Sequence, residues 1–196
     1  MRADITAPAT PEAERWQGWG SAMKPGFEPV VVARKPLIGT IAQNVLTYGT
    51  GALNIDACRI SASGRWPANV VLDESQAEVL DEQSGASRFF PTFRYQAKAP
   101  KSERPKVNGT AHPTVKPVAL MRWLVRLVTP PGGIVLDPFA GSGATLEAAL
   151  LEGFQCVGIE LADEYLPLIV HRIERAQAGE GEGAAAPLFN MEDEVG

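Results

Sequence analysis

The sequence predicts an α/β protein built on a parallel β-α-β unit, and three observations carry that prediction. A short apolar run, Ile134-Val135-Leu136, ends in Asp137 and is followed by glycines at 141 and 143. Ala144–Leu151 then reads as a helix stopped by Gly153. Gln155–Glu160 is a second apolar run that again ends in a carboxylate. Strand, glycine turn, helix and strand in this order describe parallel strands joined by a right-handed crossover. With 196 residues, 45% of them apolar, the chain is long enough for one ordinary core.

Taken in order, the elements begin with Glu28–Arg34 (EPVVVAR), a valine-rich run that predicts a strand. Residues 38–66 alternate turn residues with short apolar pieces and read as an irregular, loop-rich insert. Asn69–Leu72 is a short strand candidate, Gln76–Glu82 a helical turn, and Phe89–Ala97 mixes aromatics with Arg94. Pro117 suits a first helical position, with Leu120, Trp123, Leu124, Leu127 and Val128 following at helical spacing. Thr129-Pro130-Pro131-Gly132-Gly133 must break that helix. Ala162–Ala176 forms the last helix, with Tyr165, Leu168, Ile169 and Ile173 on one face. The tail 178–196 is small, acidic and expected to be disordered. The organisation is therefore 1–37, an insert over 38–111, an α/β unit over 112–177, and the tail.

Composition narrows the class. No window approaches 18 consecutive apolar residues, and the first ten residues lack a basic start followed by an apolar run, so neither a membrane span nor a secretory signal is expected. Cys58 and Cys156 lie far apart without a Cys/His cluster, so neither a metal nor a disulfide framework is expected, and a reducing cytoplasm fits. The net charge of −5 hides a segregation: nine basic side chains between 88 and 126 face Glu103 alone. That stretch suits a polyanion partner or a solvated basic loop, and charge does not choose between them.

The sharpest motif is Asp137-Pro138-Phe139-Ala140-Gly141-Ser142-Gly143. Its glycines allow a tight turn and close approach of a ligand to backbone, and the next helix offers free amides. Glu160 lies 23 residues after Asp137, where a carboxylate can accept both hydroxyls of an adenosine ribose. A nicotinamide fingerprint wants a third glycine where Leu146 stands, and a purely structural turn is the bland alternative. The second motif is His112-Pro113-Thr114-Val115-Lys116-Pro117, an extended entry from which Thr114 and Lys116 project. His112 alone reads as a loop histidine rather than a catalyst, since no nucleophile is placed for it.

Together these residues resemble the site-specific DNA amino-methyltransferases, which methylate adenine N6 or cytosine N4. The family's HPTxKP stands at His112–Pro117, its DPFxGSGxT at Asp137–Thr145 with Ala144 in a commonly Thr place, and its GIE at Gly158–Glu160. Upstream, WQGWG at Trp16–Gly20, Lys24-Pro25, Glu28–Leu37 and Tyr48–Ile60 are similar to the phage and prophage type. The resemblance covers about residues 10–175 and implies a Rossmann-like, S-adenosylmethionine-dependent methyltransferase fold. By matching position, Asp137, Pro138, Phe139, Gly141, Ser142 and Gly143 would wrap S-adenosyl-L-methionine. Glu160 would hold the ribose, with Thr114 and Lys116 near the methionine end, although Lys116 facing only solvent or phosphate stays open. Double-stranded DNA is the implied partner, in the setting of restriction-modification. The insert falls at the target-recognition region, with Arg88, Arg94, Lys98, Lys101, Arg104 and Lys106 toward phosphates. The interleaved aromatics serve either as local core or as a platform for a displaced base.

The family's catalytic loop, an Asp, Asn or Ser followed by Pro-Pro and an aromatic, is missing from these residues. The one Pro-Pro pair, Pro130-Pro131, is followed by glycine and ends a helix. No catalytic residue is therefore assigned. A truncated, split or mis-started enzyme with an incomplete parallel sheet is expected, its catalytic half supplied by a separate chain or a longer reading frame. A non-catalytic cofactor- and DNA-binding remnant is the alternative, and a small-molecule methyltransferase is disfavoured by the basic insert and by HPTVKP.

Overall fold

A computed structural model describes residues 8, 10–23, 26–60, 64–93 and 104–179. The chain divides into two compact units, Met1–Pro36 and Leu37–Gly196. Lys24-Pro25, Arg94, Tyr95, Lys98, Lys101 and nearly all of the predicted tail lie outside the described residues.

In the first unit, helix α1 (Pro11–Glu14) is capped by the Thr10 side chain, which accepts from the Ala13 amide. Trp16 and Trp19 then meet edge to face at 5.2 Å. The strand expected over Glu28–Arg34 is not formed. The segment has no strand assignment, pairs with no strand among the described residues, and leaves Val30, Val31 and Val32 exposed. β-branched residues fit a pleated surface, but only a neighbouring backbone turns that fit into a ladder.

In the second unit, the described part of 38–66 departs from its turn-rich sequence at Ile41–Tyr48, which forms helix α2. Thr40 and Gln43 form a reciprocal capping box, and Gly49 closes the helix in the left-handed region at φ +67°. Buried Asn44 staples the entry by donating to the carbonyls of Ile38 and Thr40. A two-residue parallel pair follows, β1 (Leu72–Asp73) with β2 (Thr92–Phe93). Helix α3 (Glu74–Ser84) lies between them, longer than the helical turn expected there. Phe93 is core: it packs with Cys58, Trp123 and Leu127, its ring edge on Trp123 at 5.8 Å.

Helix α4 (Val118–Val128) starts one residue later than expected, with Pro117 as its N-cap. Thr129 ends it and Gly132 turns the chain at φ +73°. Strand β3 (Ile134–Asp137), helix α5 (Ala144–Leu151) and strand β4 (Gln155–Gly158) form the predicted unit, parallel, with Ile134 opposite Gln155 and Asp137 opposite Gly158. The last helix, α6, runs Leu166–Gln177 after a 3-10 turn at Asp163–Tyr165. Pro167 explains the later start, since its ring is tolerated only in a first turn.

Val118 and Val125 of α4 and Ala148 and Ala149 of α5 pack over Val135 and Cys156 on one sheet face. Among the described residues nothing covers the opposite face: Ile134, Leu136, Val157 and Ile159 are 61%, 60%, 51% and 54% exposed. Among the described residues this sheet has two strands. The architecture is that of an incomplete Rossmann-like sheet, apolar on both faces and covered on one.

Candidate functional site

The turn 137–143 sits at the C-terminal ends of β3 and β4, where ligands bind in open parallel sheets. Asp137 closes β3 with its carboxylate, which accepts from the Phe139 amide at 3.0 Å. The backbone then returns to β4: Ile159 N–H donates to the Asp137 carbonyl at 2.8 Å, and Ala140 N–H to the Ile159 carbonyl at 2.9 Å. Gly141 and Gly143 hold φ of +53° and +83°, and a Cβ on Gly143 would press on the Ile169 Cα at 3.2 Å. These are the two positions where only glycine gives both the dihedral and the space. Ser142 is buried beneath the turn, while Phe139 stands 88% exposed on its rim.

Glu160 is bound into this turn. One carboxylate oxygen accepts from Gly141 N–H at 2.7 Å and the other from Ala162 N–H at 2.9 Å. The amides of Ala162 and Gly141 hold its carboxyl below the usual range, with a lesser contribution from His112. The group therefore stays an anion with lone pairs to spare for hydroxyl donors.

The entry before α4 reaches the same place. Val107 and Thr110 pair across a tight turn in which Asn108 and Gly109 take φ of 50° and 86°. Beyond it Val115 and Pro117 are buried while Thr114 and Lys116 are exposed. His112 lies with its ring edge against Tyr165, centroids 4.6 Å apart.

Behind the turn, α5 carries Glu147, fully buried and ion-paired with Arg172 and Arg175 of α6. At the end of α5, Glu152 accepts from Arg122 and Arg126 of α4 at 2.6 and 2.7 Å. Arg122 and Arg126 belong to the basic stretch, so that stretch offers fewer open charges than its composition suggests. Sequence reasoning missed both ion-pair clusters because their partners lie 25 to 30 residues apart. Burial pushes the thiols of Cys58 and Cys156 up, which suits packing rather than nucleophilic chemistry.

Of the expected site residues, Asp137, Pro138, Phe139, Gly141, Ser142, Gly143 and Glu160 are brought together. Arg88 is exposed, stacks on Phe89 with its Cζ 4.9 Å from the ring centroid, and donates to the Gly85 carbonyl. Arg104 is half-buried and Lys106 exposed.

A family model described as DNA methylase, of the N6/N4 methyltransferase type, matches residues 23–171. DNA adenine methyltransferase YhdJ of Escherichia coli (strain K12) is 40% identical over 115 residues, which cover 51% of this chain and 39% of that protein. Type II methyltransferase M.HindIII of Haemophilus influenzae is 29% identical over 162 residues, 81% of this chain and 44% of that protein. Among solved structures, a DNA modification methylase of Thermus thermophilus complexed with S-adenosyl-L-methionine is 42% identical with a TM-score of 0.31, covering 33% of this chain and 27% of its own. The M1.HpyAVI–SAM complex is 32% identical with a TM-score of 0.36, covering 43% and 38%. The chain spans 24% to 44% of the length of the relatives it matches.

Proposed function

This chain belongs to the DNA methylase family whose model spans residues 23–171, and on that premise we propose that it holds S-adenosyl-L-methionine for methyl transfer to an exocyclic amino group of adenine or cytosine in double-stranded DNA. The observation that carries the reading is the carboxylate of Glu160 bonded into the glycine turn at the ends of β3 and β4. An anion fixed there can accept both hydroxyls of a ribose. The cradle fits: without side chains at 141 and 143 the turn packs tightly against His112 and Ile169 at the strand ends, and Phe139 offers an exposed ring to an adenine face. Asp137, Pro138 and Ser142 shape that wall, and Thr114 and Lys116 take the methionine end. When bound, the group supplies an electrophilic sulfonium methyl. The chain's own residues orient it by both ends, which is how positioning lowers the barrier to a displacement.

In this reading residues 38–111 recognise the target, and Arg88, Arg94, Lys98, Lys101, Arg104 and Lys106 meet DNA phosphates, placing the protein in the cytoplasm beside its DNA. The groups that accept hydrogen bonds from the target amine come from a further segment, in the same protein or in a separate chain. What supports this is that these 196 residues contain no Asp/Asn/Ser-Pro-Pro-aromatic sequence.

Calorimetry with S-adenosyl-L-methionine tests the site. Asp137→Ala and Glu160→Ala are each expected to weaken binding on the order of tenfold or more, one lost charge-assisted contact being worth roughly 1.5–3 kcal/mol. Unchanged affinity in both would overturn the assignment, and methyl transfer to plasmid DNA by this chain alone would overturn the need for a further segment.

A further inference from the structure

We infer that His112 is a positioning residue, a clasp that fixes Gly141 and with it the Glu160 carboxylate; this rests on the reading of the turn as the methyl-donor site. The imidazole Nδ1 lies 2.7 Å from the Thr114 carbonyl and 3.2 Å from the Thr114 amide. One nitrogen cannot donate to the first and accept from the second, and the shorter contact assigns Nδ1–H as donor to the carbonyl. That hydrogen bond, with the edge-on packing of Tyr165 at 4.6 Å, fixes the ring's direction. The far side of the ring then meets the turn: a Cβ built on Gly141 would lie 3.0 Å from His112 Nε2.

Gly141 is thus held between two groups. The imidazole closes one side, and on the other its N–H is bound at 2.7 Å by Glu160, whose second oxygen takes the Ala162 amide. Three stretches of chain meet at this one residue: the entry at 112–114, the glycine turn, and the segment 160–165. The entry carries Thr114 and Lys116, and the far stretch carries the ribose carboxylate. His112 is the side chain that joins the two ends of the site, and it belongs to none of the buried apolar clusters. Its loss should misplace ligand contacts without unfolding the domain.

A double-mutant cycle on the full chain tests this, read by calorimetry with S-adenosyl-L-methionine and by hydrogen exchange. His112→Ala is expected to weaken binding about tenfold and to speed exchange at the Gly141 amide, with the amides of α5 and α6 unchanged. Gly141→Ala should cost less in the His112→Ala background than in the wild type, by about fivefold or more, because its Cβ no longer meets the imidazole. Additive effects would overturn the clasp. So would exchange accelerated throughout α5 and α6, which would make His112 merely structural. His112→Phe keeps a ring over Gly141 and against Tyr165 without the donor, and should recover part of the loss. Equality with His112→Ala would assign the effect to the Thr114 bond alone and refute the clasp. If the wild type gives no heat with S-adenosyl-L-methionine, the reading of the site fails, while exchange at Gly141 still decides the clasp.

Discussion

Glu147 and Glu152 tie α5 to its two helical neighbours, and they do so in different surroundings. Glu147 is fully buried, Arg172 is 1% exposed, and Arg175 completes the cluster that holds α6. Glu152 and its partners Arg122 and Arg126 keep 9%, 20% and 23% of their side-chain surface, and they hold α4. The same chemistry, one carboxylate with two guanidiniums, is therefore used once around a fully dry pair, Glu147 and Arg172, with Arg175 21% exposed at its edge, and once with all three side chains partly open to water. A dry pair costs much to desolvate and much more to break, whereas a wetter pair contributes modestly and answers to pH and salt. Glu147 sits in the first turn of α5, next to the glycine turn, whereas Glu152 follows its last residue, so the two clusters brace opposite ends of the helix that leads away from the site.

The largest expected effect comes from the dry side. Glu147→Ala leaves Arg172 charged and buried, and denaturant unfolding should show a loss of about 3–5 kcal/mol. Replacing both Glu147 and Arg172 by leucine removes the dry pair with its desolvation cost and, because Arg175 is 21% exposed and within reach of water, should return most of that stability. A loss below about 1 kcal/mol for Glu147→Ala, the scale of a surface pair, would erase the distinction between the two clusters.

The wetter side should respond less. Glu152→Gln is expected to cost roughly 1.5–3 kcal/mol at neutral pH, one net charge-assisted hydrogen bond. Burial acts to raise the Glu152 pKa, and the hydrogen bonds from Arg126 and Arg122 outweigh it, so the folded carboxyl sits below its usual value. A folded value depressed below the unfolded one stabilises fully above the unfolded value, and that stability is lost as pH falls through the folded one. Wild type should therefore lose stability on the acid side in a step that Glu152→Gln lacks. Parallel acid limbs for the two proteins would remove Glu152 from the account.

Neither cluster is legible in the sequence, and the reason is physical. Arg122 and Arg126 read as part of a basic stretch because charge counts run along the chain, while Glu152 meets them across a helix–helix contact. The β-α-β unit is legible because its signals are local: an apolar run of strand length, glycines where the backbone needs positive φ, and a carboxylate closing each strand. Glu28–Arg34 carries an equally good local signal and fails, since a strand also requires a neighbour that no local pattern reports. Helix α2 is the reverse case. Its capping box and Gly49 stand in the sequence, but eight residues between turn formers hide the period. For the site, the turn and Glu160 are legible as residue types at a spacing. The hydrogen bond between them, and the approach of His112, depend on three segments meeting in space.

Salt gives the smallest expected effect and separates the two clusters without a substitution. At about 1 M ionic strength the screening length falls to roughly 3 Å, comparable to the contacts themselves. Ions reach Arg122, Arg126 and Glu152, whose side chains keep part of their surface, and they do not reach Arg172, which is 1% exposed. Moderate sodium chloride should therefore trim wild-type stability by a few tenths of a kcal/mol, the share a partly exposed pair can lose. The larger share of the loss should disappear in Glu152→Gln, and only the smaller share carried by the 21%-exposed Arg175 should disappear in the Glu147/Arg172 leucine double variant. Salt also screens the other surface charges of the molecule, so the informative quantity is the difference between variants at one salt concentration. A salt response that disappears instead in the leucine variant would place the water-accessible pair on the α6 side of α5 and invert the comparison.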